Sequence, residues 1–284
     1  MRGPRLKKSF GQHHLTRSDL CRPLLEYLEP SGRRVVEVGP GGGVLTGPLL
    51  ESGATVLALE LDPEWAFPLR ELRSEERLRL AVVDAMRIAW DRVPAGTLVT
   101  GNLPYEIGSA LIRALLPLHA RIPRMAFLIQ REVAERFVAP PSTNPYGLLS
   151  VLAAAWSQPR FLGSVARGSF RPPPKVEGAF VGFELGPPPL EESGMADFVK
   201  TVETAFGLRR KTVRNALAAS WGRQLAEETL NAAGVDTGRR AETLALEDFV
   251  RIERARASLV GVGQSASESV RFASSDPGGI THTE

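Results

Sequence analysis

Asn102-Leu103-Pro104-Tyr105, closing the β-rich run Val99-Thr100-Gly101, combines residue types suited to methylating an aromatic amine. The exocyclic amine of adenine is a poor nucleophile because its lone pair is delocalised into the ring. An Asn side-chain carbonyl, and a backbone carbonyl held still by the following Pro, can each accept one amine hydrogen. The lone pair is then aimed at an electrophilic methyl group while a Tyr ring stacks on the base. No general base is obligatory in such a site. The tetrapeptide by itself is also compatible with a strand ending in an Asn-x-Pro turn.

Three features upstream narrow the choice. Val35-Val36-Glu37-Val38-Gly39-Pro40-Gly41-Gly42-Gly43 sets a glycine loop straight after a β-rich run, where close backbone approach to a ligand needs residues without a β-carbon. Glu60 closes Leu57-Ala58-Leu59, where a carboxylate can accept both ribose hydroxyls of an adenosyl group. Hydrogen bonds of this charged kind are worth about 1.5–3 kcal/mol each. Asp84 closes Ala81-Val82-Val83, where it can accept from the adenine amine. Each acid taken singly also reads as a solvated strand end or a helix cap. Together with Asn102 they fall at the carboxyl ends of successive strands, along the crevice where open α/β sheets bind ligands. A P-loop NTPase is disfavoured because no Gly-Lys-Ser/Thr follows the glycines, and a dehydrogenase because hydride transfer has no use for the Asn-Leu-Pro-Tyr turn.

The elements that must position these residues follow from periodicity. Strands are expected at residues 34–38, 55–61, 78–83, 97–101 and 125–129, helices at 45–52, 64–73, 107–118 and about 132–138, and further β-rich runs at 160–165 and 176–185. This is a doubly wound, Rossmann-like α/β pattern. After Gly186-Pro187-Pro188-Pro189 helical spacing takes over: Phe198, Val202, Ala205 and Phe206, then Val213, Leu217 and Trp221, then Leu225, Thr229 and Leu230, and last Phe249, Val250 and Ile252. The expected organisation is a catalytic domain over 1–186, opening with a contact segment over 1–32, a small all-helical domain over 187–260, and an irregular Ser-, Gly- and Thr-rich tail over 261–284.

With 43% hydrophobic and 24% charged residues the chain has the mix of a soluble globular protein. Lys and Arg exceed Asp and Glu by 35 to 32, so distribution matters more than total. Arg5, Lys7 and Lys8 lie in an opening stretch without acids before Asp19, and Arg209, Arg210, Lys211 and Arg214 form a second acid-free cluster. Both suggest a polyanionic partner, although a solvated helix face is the commoner explanation of such runs. One cysteine, Cys21, excludes an internal disulfide, and the four histidines lack metal-ligand spacing, so no metal is expected. No run of eighteen apolar residues or signal-peptide pattern is present, and a cytoplasmic location without membrane contact is expected.

The chain resembles the ribosomal RNA adenine dimethylases, specifically their small-subunit branch. The likeness is carried by Lys8-Ser9-Phe10-Gly11-Gln12-His13-His14-Leu15, by the glycine loop within Glu37 to Thr46, by Asn102-Leu103-Pro104-Tyr105, by Phe170-Arg171-Pro172-Pro173-Pro174-Lys175-Val176, by Ala205-Phe206-Gly207-Leu208-Arg209-Arg210-Lys211-Thr212-Val213-Arg214-Asn215, and by Leu246-Glu247-Asp248-Phe249. The resemblance implies an S-adenosylmethionine-dependent methyltransferase sheet with a helical RNA-binding domain. It places cofactor binding at His13, Leu15, Gly39, Glu60, Asp84 and Asn102, with Gly41 in the same loop. Catalysis falls to residues 102–105, with Phe170 clamping the base opposite Tyr105. The implied substrate is two adjacent adenosines near the 3′ end of 16S ribosomal RNA in the assembling 30S particle, and the implied state is a monomer. Its departures are His13, where Asn is commonest, Glu106 for Asn, Gly178 for Ser and Gly42 for a bulkier residue. Two alternatives stand beside it: a large-subunit macrolide-resistance methylase, disfavoured by Leu103, and a non-catalytic assembly factor, disfavoured by the intact Glu60, Asp84 and Asn102.

Overall fold

The computed structural model describes residues 13–69, 76–208 and 210–273. Arg5, Lys7, Lys8 and Arg209 therefore lie outside the described residues, as do the end of the helix expected to reach residue 73 and positions 274–284. The chain divides between Pro189 and Leu190 into two compact units.

The first unit is built on nine strands. They are β1 (His14–Leu15), β2 (Arg34–Val38), β3 (Thr55–Glu60), β4 (Leu78–Val82), β5 (Leu98–Asn102), β6 (Arg124–Gln130), β7 (Ser157–Val165), β8 (Phe170–Arg171) and β9 (Gly178–Leu185). Its helices are α1 (Arg22–Leu28), α2 (Thr46–Glu51), α3 (Pro63–Leu69), α4 (Gly108–Leu115), α5 (Arg131–Val138) and α6 (Leu148–Trp156). Seven strands form one sheet in the order β4-β3-β2-β5-β6-β9-β7; β2 to β6 run parallel, and β9 runs antiparallel to both of its neighbours. Chain order reverses between β2 and β5, so a crevice opens at the carboxyl ends of those strands.

The central strands are buried on both faces, as in β2, where Val35, Val36, Glu37 and Val38 are all buried. Gly101 allows β2 and β5 to pair closely, since a β-carbon there would overlap the Val38 carbonyl oxygen. Leu24 and Leu28 of α1 join Val35, Val56, Leu98, Leu128 and Phe180 in one core cluster. Each such side chain contributes about 1.5–3 kcal/mol relative to exposure. Helix α4 buries Leu111, Ile112 and Leu115 at the spacing that predicts it.

Three elements escape a periodicity reading. Helix α6 buries most of its circumference, so Leu148-Leu149-Ser150-Val151-Leu152-Ala153-Ala154-Ala155-Trp156 shows no polar stripe to mark it as helical. Strands β1 and β8 have two residues each and pair antiparallel with each other, His14 against Arg171 and Leu15 against Phe170. No local pattern announces a partnership spanning that much of the chain.

The second unit consists of α7 (Glu192–Gly207), α8 (Val213–Trp221), α9 (Arg223–Ala232) and α10 (Leu246–Ala273). Phe198, Val202, Val213, Leu217, Leu230, Phe249 and Ile252 are buried in it. Thr212 caps α8 by accepting the Asn215 N–H at 3.4 Å. The reading of 261–284 as irregular tail is corrected over residues 261–273, which continue α10. Once Phe249 and Ile252 anchor the first turns, each further residue needs only propagation, not a new nucleus.

Candidate active site

The crevice is lined by Gly39 after β2, Glu60 to Asp62 after β3, Val83 to Ala85 after β4, residues 102 to 107 after β5, and His13 and His14 from the amino-terminal segment. The structure thus brings together His13, Gly39, Glu60, Asp84, Asn102, Leu103, Pro104 and Tyr105 among the residues singled out from the sequence. It leaves Leu15, Gly41 and Phe170 out of that lining.

Asn102 is held by a tertiary contact. Its Nδ2 donates to the His13 carbonyl oxygen at 2.8 Å, so the amide is oriented with Oδ1 turned away from that strand as an acceptor. Leu103 is buried and donates its N–H to Leu128 O at 3.0 Å, while the Pro104 carbonyl accepts from Ile107 N and Gly108 N and starts α4. The Leu103 carbonyl takes no hydrogen bond among the described residues, leaving it available as the second acceptor. The Tyr105 hydroxyl is buried without a partner among the described residues, and burial raises its pKa. Its ring centroid lies 5.6 Å from that of His13, tilted by 32°.

Glu60 is 6% exposed and its carboxylate is oriented by the backbone: Oε1 accepts from Asp62 N at 2.9 Å and Oε2 from Gly41 N at 3.2 Å. Burial pushes its pKa up, and those backbone donors pull it down. Asp84 accepts from Met86 N at 2.9 Å and lies 3.5 Å from the Arg87 guanidinium, so it caps a short helical turn while also lining the crevice. Gly39 and Gly41 have φ of +69° and +52°, a conformation that disfavours side chains. Gly41 has a second reason to be glycine, because a β-carbon there would overlap the His14 ring.

Phe170 requires a correction. It is 4% exposed and belongs to the core cluster with Leu15, Leu128, Val165 and Phe180 rather than facing Tyr105 across the crevice. Pairing of β1 with β8 sets Phe170 beside Leu15, and the inward face of that small sheet takes both. Gly178 makes the space, since a β-carbon there would stand 2.9 Å from Phe170 Cζ. Leu15 lines a smaller cavity beneath the glycine loop with Glu37 and Gly39.

A family model for ribosomal RNA adenine dimethylase matches residues 3–257. The chain belongs to the ribosomal RNA adenine dimethylase family. It is 40% identical over 268 residues to "Ribosomal RNA small subunit methyltransferase A" of Anaeromyxobacter dehalogenans, covering 88% of this chain and 93% of that protein. The protein of the same name from Aromatoleum aromaticum is 38% identical, covering 87% of this chain and 93% of its own length. The fold is shared with a dimethyladenosine transferase from Plasmodium falciparum, at a TM-score of 0.71 and 21% identity over 84% of this chain and 96% of that one. It is shared too with the 23S rRNA methyltransferase ErmE, at 0.65 and 24% over 90% of this chain and 100% of that one. The protein is accordingly an S-adenosylmethionine-dependent methyltransferase.

Two further residues at or near this dimethylase-family site were not singled out from the sequence. His14 lines the crevice, stacks on Trp65 at 4.3 Å and 25°, and has its pKa lowered by burial and then by His13. Glu37 is buried, accepts from Thr46 Oγ1 at 2.7 Å, and is pushed up to about 7, mainly by burial. The available signal is an acid inside an otherwise apolar strand run, which is expensive unless it is neutral or partnered. In the helical unit of this dimethylase, Arg210 and Lys211 are exposed, whereas Arg214 is half-buried and lies 3.5 Å from Glu227, an acid it shares with Arg223. Among the described residues no group of three or more His, Cys, Asp or Glu is arranged to hold a metal, and no helix is long and apolar enough to cross a membrane.

Proposed function

We propose that this enzyme dimethylates the exocyclic amines of two adjacent adenosines near the 3′ end of 16S ribosomal RNA, during assembly of the small ribosomal subunit. The orientation of Asn102 carries the reading. The commitment of Nδ2 to His13 O supports a mechanism in which the Oδ1 acceptor and the Leu103 carbonyl take the two amine hydrogens and Tyr105 offers an apolar face for the base. A monomethylated amine keeps one hydrogen, and one acceptor then suffices for orientation.

S-adenosylmethionine, when bound, supplies an electrophilic methyl group. The residues present fit it. Glu60 offers a pre-oriented carboxylate for ribose hydroxyls, Asp84 a carboxylate for the adenine edge, and Leu61, Val83 and Ala85 apolar walls. Gly39, Gly41, His13 and Asn102 hold the remainder, with Leu15 supporting from below. The acceptor base must leave its stack, at a cost of a few kcal/mol, which stacking on Tyr105 offsets by about 1–3 kcal/mol. Arg5, Lys7, Lys8, Arg209, Arg210, Lys211 and Arg214 are the proposed phosphate contacts, with Arg214 weakened by its pairing to Glu227. A monomer working in the cytoplasm is part of the same reading.

The test is methyl transfer from labelled cofactor to undermethylated 30S particles, followed by mapping of the modified nucleotides. Four methyl groups on two neighbouring adenosines of 16S RNA are expected. Label on 23S RNA alone, or particle binding without transfer, would overturn the proposal.

A further inference from the structure

The stretch from Ala139 to Val176 contains no Asp or Glu, and its cations are Arg160, Arg167, Arg171 and Lys175. Tertiary contacts carry the last three to the border of the crevice. Thr16 donates both its N–H and its hydroxyl hydrogen to Ser169 O at 3.0 Å, the His13 ring donates from Nδ1 to Pro172 O at 2.8 Å, and β1 pairs with β8. His13 and His14 line the crevice, so the segment they hold runs along its edge. Register sets Arg171 opposite His14, on one face of the two-strand ribbon, while Leu15 and Phe170 take the face turned to the core. Arg167 donates from Nη1 to Lys175 O at 3.4 Å, which closes the segment into a loop.

We propose that Arg167, Arg171 and Lys175 form a phosphate-binding rim that holds the RNA backbone beside the acceptor adenosine. This rests on the RNA-methylating reading above. All three residues are exposed, and none has a carboxylate partner among the described residues. The acid that follows them, Glu177, is engaged by Arg131 at 2.8 Å. Pro172, Pro173 and Pro174 fix their own φ angles between Arg171 and Lys175, so the rim has little backbone freedom to lose on binding. Planar guanidinium groups match pairs of phosphate oxygens, and the Lys175 ammonium adds a point charge.

The crevice itself argues for the same path. Glu60, Asp62, Asp84 and Glu106 line it, and among the described residues lining it there is no Lys or Arg. A phosphate is repelled there, whereas an uncharged base is not. The charge pattern therefore divides a nucleotide: the base enters towards Asn102 and Tyr105, and its phosphates stay on the cationic rim. Arg210, Lys211 and Arg214 belong to the second unit, but these three cations belong to the unit that holds the crevice. They are thus able to set the register of the strand at the site of transfer.

The experiment is filter binding of undermethylated 30S particles across a salt series, with cofactor Kd read by calorimetry. Arg167→Ala, Arg171→Ala and Lys175→Ala should each lower the slope of log affinity against log salt by about one, while Arg171→Lys keeps it. Cofactor Kd should stay near wild type throughout, which separates a lost phosphate contact from a disturbed β1 and β8 pairing. The Arg171 side chain makes no hydrogen bond among the described residues, so its variants leave the loop intact. Location is read separately. Cys21 is buried and is the one cysteine of the chain, so Arg171→Cys supplies a single accessible thiol for a tethered iron chelate that cuts nearby backbone by hydroxyl radicals. Strand scission within a few nucleotides of the methylated adenosines is expected. An unchanged slope in Arg171→Ala, a loss of cofactor binding that accompanies every loss of affinity, scission remote from the methylated pair, or no scission would each overturn the proposal. Wild-type protein that binds particles but transfers no methyl group removes the methylation reading and the rim with it, whereas a failed rim leaves that reading standing.

Discussion

Asn102 serves two partners with its two ends, and each end can be probed separately. Asn102→Ala should lower transfer by about 10²–10³, the usual effect of losing a pre-oriented polar group at a reacting centre, while cofactor binding measured by calorimetry is largely kept. Asn102→Asp keeps an acceptor but sets a carboxylate oxygen against His13 O, so it too should fail, and with a lower melting temperature than the alanine variant. Full activity in either variant would sink the assigned role. Glu37 makes a pH prediction. Its folded pKa is raised to about 7, so the fold favours the protonated acid, and stability present in the ordinary carboxylate range is lost as pH rises towards and through 7. The loss is at most about 3 kcal/mol. Urea midpoints at pH 5 and pH 8 should therefore differ less in Glu37→Gln, which still accepts from Thr46, than in wild type. Glu60 is shifted in the same direction and keeps the variant from being wholly flat. An equal drop in both proteins would remove Glu37 as the cause.

At the scale of elements, the two-residue pairing of β1 with β8 organises the site. It brings residues 13–15 across the crevice, seats Leu15 and Phe170 in the core, and fixes the His13 carbonyl that orients Asn102. Phe170 is thus a packing residue for the strap over the site. Phe170→Ala should cost about 3–5 kcal/mol of stability, measured by urea unfolding, whereas Phe170→Leu should cost far less and keep most of the transfer rate. If Phe170→Leu were fully stable yet inactive, the ring would have to meet the base after all. The glycines here act by the space they leave. Gly178 admits the Phe170 ring, Gly41 the His14 ring, and Gly101 the close pairing of β5 with β2. Helix α6, buried around most of its surface, was beyond periodicity because it lacks the polar face on which that method depends.

For the whole molecule, the chain forms two compact units, one ending at Pro189 and a helical one beginning at Leu190. The basic residues of the second unit predict affinity for RNA that falls steeply with salt. Arg210→Ala and Lys211→Ala should each reduce the slope of log affinity against log salt by about one, and Arg214→Ala by less, since Glu227 already offsets its charge. Filter binding across a salt series would settle this, and unchanged slopes would leave these cations as a solvated surface. The alternation of strands and helices, the glycine loop, Glu60, Asp84 and the Asn-Leu-Pro-Tyr turn were legible in the chain, because each depends on local periodicity or on residue types that one strand end must carry. Which way Asn102 points and that Phe170 packs in the core were decided by contacts between residues 89 and 155 positions apart. The sequence alone determined which groups are available for the chemistry. Only the tertiary structure decided their orientation, because hydrogen-bond direction and burial belong to pairs of distant residues and leave no local pattern in the chain.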